Sequence, residues 1–175
     1  IPSEGLPVPD VVVVGLQECK YATKGRKSGI DHVAHESGFN ARDHFLGLCF
    51  VVLGEMWNSD FYRGDSTPDE EHVHLVASQQ LMEMRLYVFC RSSQERLIHS
   101  IEKGKEATGL GHIVGNKGGL AIKFNICGTS MCFISCHLAA HDGQLQSRVS
   151  NIHEILSGVN LGDAMLDITS QFDHV

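Results

Sequence analysis

At 175 residues and 19.2 kDa, the chain is the size of one domain and can bury a core without cross-links. With 42% hydrophobic and 20% charged residues it is not disordered, and no apolar stretch approaches the roughly 20 residues of a membrane span. The net charge of −7 argues against a nucleic-acid partner, which needs a basic field, but leaves room for an anionic substrate in one local cationic pocket.

Val11-Val12-Val13-Val14 is a β-branched run without polar alternation, which predicts a strand buried on both faces. Pro7 and Pro9 bar a helix before it. Gly15-Leu16-Gln17-Glu18 closes this strand, and residues 20–35 read as a polar, basic loop or short helix. Residues 45–53 form a second apolar run, again strand-like, and 60–71 an acidic exposed loop with Gly64 and Pro68. Two strands are expected within 73–90, the better one at 84–90. Residues 92–105 carry Leu97, Ile98 and Ile101 at weakly helical spacing.

Strands at 120–126 and 131–136 flank a turn built on Gly128-Thr129, which predicts a hairpin. Residues 144–156 give the best helix, with Leu145, Val149, Ile152 and Leu156 on one face. The final stretch, 171–175, reads as the start of a strand, and the chain reads as a piece of something longer. The pattern predicts a mixed-sheet α/β domain. Five of the six cysteines lie inside apolar runs, where a thiol acts as a small hydrophobe. Without a CxxC spacing, they predict reduced thiols in an intracellular protein.

Three segments carry candidate chemistry. Glu18 ends a strand, where ligands of open α/β sheets gather, and a carboxylate there suits a hard cation such as Mg²⁺; the alternative is a solvated acid on a loop. Gly115-Asn116-Lys117-Gly118-Gly119 offers amide and ammonium donors to phosphate oxygens, with glycines that allow close backbone approach. It is neither a P-loop nor a dinucleotide fingerprint, and it could also be a flexible turn. His137-Leu138-Ala139-Ala140-His141 ends the second hairpin strand, where a histidine can hold or protonate a phosphate, or merely sit at the core edge. Pairing the hairpin about Cys127 and Gly128 sets position 117 opposite 138, so Asn116-Lys117 and His137 converge at one end of the sheet. His72-x-His74 lacks a third ligand nearby, which argues against zinc. Lys20, Lys24, Arg26 and Lys27 form a basic cluster just after Glu18.

GLQE at 15–18, GNKGG at 115–119 and HLAAH at 137–141, in this order, resemble the inositol polyphosphate 5-phosphatases of the endonuclease/exonuclease/phosphatase superfamily, which has the deoxyribonuclease-I-like fold. Residues 84–89, Leu161-Gly162-Asp163 and 172–175 also look like that family. The resemblance implies an α/β (α+β) fold of two packed mixed sheets flanked by helices, a four-layer sandwich truncated at both ends. Residues 1–175 would be a partial catalytic domain. It implies Mg²⁺-dependent removal of the 5-phosphate from phosphoinositides or soluble inositol polyphosphates, with the fragment alone inactive. Glu18 matches the metal-binding glutamate, and His137 the histidine at the scissile phosphate. Asn116, Lys117 and His141 match positions near the substrate's phosphates. The family's Asn-bearing first strand would lie before Ile1 and its Trp-x-Gly-Asp-x-Asn motif just after Val175. The family usually shows Arg-Asn where this chain has Arg148-Val149. A cytoplasmic protein, peripheral at the cytosolic membrane face, is expected, its basic cluster touching anionic lipid. A nuclease of the same superfamily and a non-catalytic interaction module are the alternatives.

Overall fold

The computed structural model describes residues 9–19, 44–58, 71–108 and 117–175. Asn116 and the basic cluster Lys20, Lys24, Arg26 and Lys27 therefore lie outside the described residues, as does most of the predicted acidic loop. The elements are β1 (Val11–Leu16), α1 (His44–Asn58), β2 (Val73–Leu81), β3 (Met84–Arg91), a 3₁₀ turn (Ser92–Leu97), β4 (Ile98–Ala107), β5 (Gly118–Ile126), β6 (Thr129–His137) and α2 (Leu145–Gly158). No helix among the described residues is long and apolar enough to cross a membrane.

The strands form two three-stranded sheets, in the orders β1-β3-β2 and β4-β5-β6. All named pairings are antiparallel. Among the described residues the parallel component is a single bridge, Met131 to His174, in the predicted final strand.

Side chains alternate between the two faces with the pleat, and both faces of each sheet are covered. From β3, Met84, Leu86, Val88 and Cys90 point between the sheets, meeting Leu120, Ile122 and Phe124 of β5. Tyr87 and Phe89 point the other way, onto Leu46, Leu53 and Trp57 of α1. On the far side, Ala121 and Cys132 meet Ile155 of α2 and Val159, Leu161 and Ile168 beyond it. The layers thus run α1, first sheet, second sheet, α2, the expected four-layer sandwich. Covering both faces explains why β3 and β5 are apolar without alternation. Each fully buried side chain such as Phe89 or Ile122 contributes about 1.5–3 kcal/mol.

Several expectations are corrected. Residues 45–53 belong to a helix, not a strand. Leu46, Cys49, Phe50, Leu53 and Trp57 repeat at helical spacing on the face toward Phe89, but exposed Phe45, Leu48 and Val52 fill the gaps and conceal the period. Strand β4 replaces the weak helix expected over 92–105, after the 3₁₀ turn. Strand β1 is half-buried, because it lies at the edge of its sheet while β3 takes the centre. In α2 the predicted apolar stripe is largely exposed at Leu145, Val149 and Ile152, and the buried residues are Asn151 and Ile155. The helix turns that face inward because Gly119 leaves a gap that Ile155 fills.

Candidate functional site

The β5–β6 hairpin sets one side of the site. Its tip places Cys127 (φ 50°) and Gly128 (φ 81°) in left-handed backbone, the signature of a two-residue type I′ turn that matches strand twist. The resulting register pairs Gly118 with His137, as the hairpin arithmetic requires. It sets Lys117 beside the end of β6, and Lys117 Nζ lies 2.6 Å from His137 Nε2. Lysine has no acceptor, so in this contact Nζ is the donor and Nε2 the acceptor.

The other side comes from the first sheet. Glu18 follows β1 with a φ of 53°, and its Oε1 lies 3.7 Å from the same His137 Nε2. Two bonds steer this segment: Gln17 Nε2 donates to the carbonyl of Cys136, and Cys19 N donates to Glu83 O at 2.8 Å. Gly15 makes the approach of β1 to β6 feasible, since a Cβ there would stand 2.8 Å from Ser135 Oγ. Glu18, Lys117 and His137, distant in sequence, thus converge where the two sheets meet. His137 is nearly buried at 10% side-chain exposure, whereas Glu18 is 67% exposed and open to a ligand.

His141 stands four residues beyond His137, on the loop that follows β6, exposed, with a φ of 74°. Asn116 falls outside the described residues, so its placement beside Lys117 rests on the sequence alone. Gly118 and Gly119, the two described glycines of the motif, each face protein neighbours. A Cβ on Gly118 would overlap the Glu106 carbonyl, and one on Gly119 would overlap Ile155. These two glycines admit protein neighbours, a strand and a helix, rather than a ligand. His74, with Glu95 at 3.5 Å, belongs to a surface pair remote from this cluster in the fold.

The sequence assigns no role to the groups that hold the site together, Arg148 among them. Gln17 lay inside a quoted motif without a role, although a side-chain amide beside a strand end is a ready cross-link. Arg148 and Asn151 of α2 bond the backbone of the HLAAH loop: Asn151 Oδ1 accepts from Ala139 N at 3.0 Å, and Arg148 Nη1 donates to His141 O at 2.8 Å. Among the described residues no group of three or more His, Cys, Asp or Glu could hold a metal ion. A Mg²⁺ ion fits nonetheless, since it is commonly held by one or two carboxylates plus substrate phosphates and water, and Glu18 offers one exposed carboxylate.

Residues 3–175 match the family model described as Endonuclease/Exonuclease/phosphatase family 2. The chain is 31% identical over 156 residues to inositol-1,4,5-trisphosphate 5-phosphatase 1 of Schizosaccharomyces pombe, a match that covers 89% of this chain and 13% of that protein. It is 36% identical over 103 residues to phosphatidylinositol 3,4,5-trisphosphate 5-phosphatase 2B of Danio rerio, covering 57% of this chain and 8% of the relative. Among solved structures, the inositol polyphosphate 5-phosphatase domain of spSynaptojanin, in complex with inositol (1,4)-bisphosphate and calcium ion, matches with a TM-score of 0.66 at 27% identity. That match covers 97% of this chain and 42% of the other. The chain spans less than half the length of each of these proteins, and the likeness that the three motifs implied is present along nearly all of it.

Proposed function

The chain belongs to endonuclease/exonuclease/phosphatase family 2, and on that premise we propose that the full-length protein hydrolyses the 5-phosphate of phosphoinositides or soluble inositol polyphosphates with Mg²⁺. The observation that carries this reading is the meeting of Lys117, His137 and Glu18 at one seam, with Lys117 Nζ 2.6 Å from His137 Nε2 and Glu18 3.7 Å from the same nitrogen. Phosphate-monoester hydrolysis is among the slowest uncatalysed reactions, so it demands charge neutralisation and oriented donors. Lys117 supplies a cation to the oxygens of a transferred phosphoryl group, and His137 beside it a ring nitrogen that donates to them once it takes a proton. Asn116 and His141 are assigned to the remaining phosphates of the head group. Glu18 would hold the Mg²⁺ ion, which when bound supplies further neutralisation of phosphate charge. The names of the relatives, which act on inositol phosphates and phosphoinositides, support the substrate class.

The described residues place one candidate metal carboxylate and no base beside His137, so we assign no activity to the 175 residues alone. The basic cluster Lys20, Lys24, Arg26 and Lys27 is assigned to an anionic membrane surface, where each lysine or arginine adds about 1 kcal/mol, and the protein to the cytosolic face of that membrane. The test is phosphate release from a soluble inositol polyphosphate and from the same head group in vesicles, by the full-length protein, with Mg²⁺ and with a chelator. Loss of the 5-phosphate, stopped by chelation, is expected. No release, or release from another ring position, overturns the reading.

A further inference from the structure

The loop that leads from His137 at the end of β6 to His141 is fastened by side chains of the helix that follows it. Asn151, only 9% exposed, accepts a hydrogen bond from Ala139 N at 3.0 Å. Arg148 Nη1 reaches two carbonyls of the same loop, His141 O at 2.8 Å and Ala139 O at 3.4 Å. His141 O also accepts from Gln144 N at 3.2 Å. Ala139 is thus held at both its N–H and its C=O, and His141 at its C=O.

His141 needs such fastening. Its φ of 74° lies in the left-handed region, where a residue with a Cβ is strained by about 1–2 kcal/mol. Strain of this kind persists only where the surroundings over-determine it. A flexible loop would relax His141 to negative φ and swing its ring elsewhere. Ile155, one turn beyond Asn151, anchors the helix itself over Gly119, immediately beside the β5 end of the site. The brace therefore references His141 to the same sheet that carries Lys117 and His137.

We propose that Arg148 and Asn151 are positioning residues: they fix the His137–His141 loop so that His141 is presented to the substrate's phosphates in one orientation. This rests on the function proposed above, and extends it to two residues that touch no substrate. Both Arg148 bonds leave from one nitrogen, so a lysine ammonium can replace the donor, and Asp can replace the acceptor oxygen of Asn151.

The experiment has two arms, both on the full-length protein. The first is independent of activity. Amide hydrogen exchange at Ala139 should accelerate about tenfold or more in Asn151→Ala and little in Asn151→Asp. The second measures kcat and KM on a soluble inositol polyphosphate. Arg148→Ala should raise KM about tenfold with a smaller change in kcat, and Arg148→Lys should recover most of it. In a His141→Ala background, Arg148→Ala should add less than about twofold, because its effect passes through His141. A merely structural role would multiply the two effects and leave lysine no special power of rescue. Unchanged exchange at Ala139 in Asn151→Ala overturns the brace. Accelerated exchange with a wild-type KM in Arg148→Ala, or full multiplication in the double variant, overturns the positioning role alone. A wild-type protein inactive on every inositol phosphate overturns the proposed function, and this role with it, whatever the exchange shows.

Discussion

Replacing Gly15 with alanine tests whether the site depends on close approach of the two sheets. The new Cβ would stand 2.8 Å from Ser135 Oγ and 3.3 Å from Ser135 Cβ. Carbon and oxygen do not sit at the first distance without repulsion, so either the Ser135 hydroxyl rotates away or β1 moves off β6. Overpacking of this kind costs about 1–3 kcal/mol. In a domain of 175 residues each kcal/mol lowers Tm by about 2–4 °C. Moving β1 also strains the Gln17–Cys136 bond and draws Glu18 away from His137. A displacement near 1 Å at a reacting centre can cost about a hundredfold in rate. Urea denaturation of the chain and kcat/KM of the full-length protein read the two effects separately. Adding Ser135→Ala removes the closer clash and leaves only the 3.3 Å contact, which can give by a few tenths of an ångström. The double variant should regain most of the lost stability and rate. If Gly15→Ala is as stable and as active as wild type, or the double variant is no better, β1 and β6 are not held at the stated distance.

In the full-length protein, Lys117→Ala should lower kcat/KM by about one to two decades on soluble and vesicle substrates alike, the worth of a charged hydrogen bond. Lys24→Ala should matter only on anionic vesicles and fade with salt, so a harmless Lys117→Ala on the soluble substrate removes its phosphate role. The hydrogen bond from Lys123, 2.7 Å away, and that from Gly162 N hold the Glu102 carboxyl below its ordinary value of 4.5. With a depressed folded value, its contribution is complete above 4.5 and is lost as pH falls below it, so Glu102→Gln should flatten the acid limb of a urea-midpoint series. Burial pushes the thiols of Cys90 and Cys132 up to about 11, whereas Cys127 is exposed at the hairpin tip. Alkylation at neutral pH should therefore modify Cys127 first and reach Cys90 and Cys132 only on unfolding, as peptide mapping would show.

Some of this was legible from the residues because it rests on local chemistry. A turn at Cys127-Gly128 fixes the β5–β6 register, and from the register alone Lys117 meets His137. The β-branched run at 11–14 is a strand under any packing. What escaped the reading depended on neighbours distant in sequence. Helix α1 is apolar nearly all round, with Phe45, Leu48 and Val52 filling the gaps, so its period shows only once Phe89 identifies the buried face. The inward face of α2 is chosen by a missing side chain at Gly119, and Asn151, which a hydropathy pattern places outside, is buried because Ala139 N needs its oxygen. Gly118 and Gly119 read as ligand-cradling glycines, yet their constraint comes from Glu106 and Ile155. The resemblance of three motifs singled out Glu18, Lys117 and His137; the packing is what brings them together.

The seam has a mechanical consequence. Glu18 is carried by one sheet, and Lys117 and His137 by the other, so their separation is a readout of how the sheets seat on each other. That seating is set by the layer of side chains between them, Val88, Leu86, Ile122 and Phe124 among them. Trimming or enlarging any one of these alters the spacing or the slide of one sheet over the other by a fraction of an ångström, at a point that no substrate touches. The inter-sheet core is thus a calibration layer for the cluster at its rim, and variants within it are expected to show altered turnover before they show loss of fold.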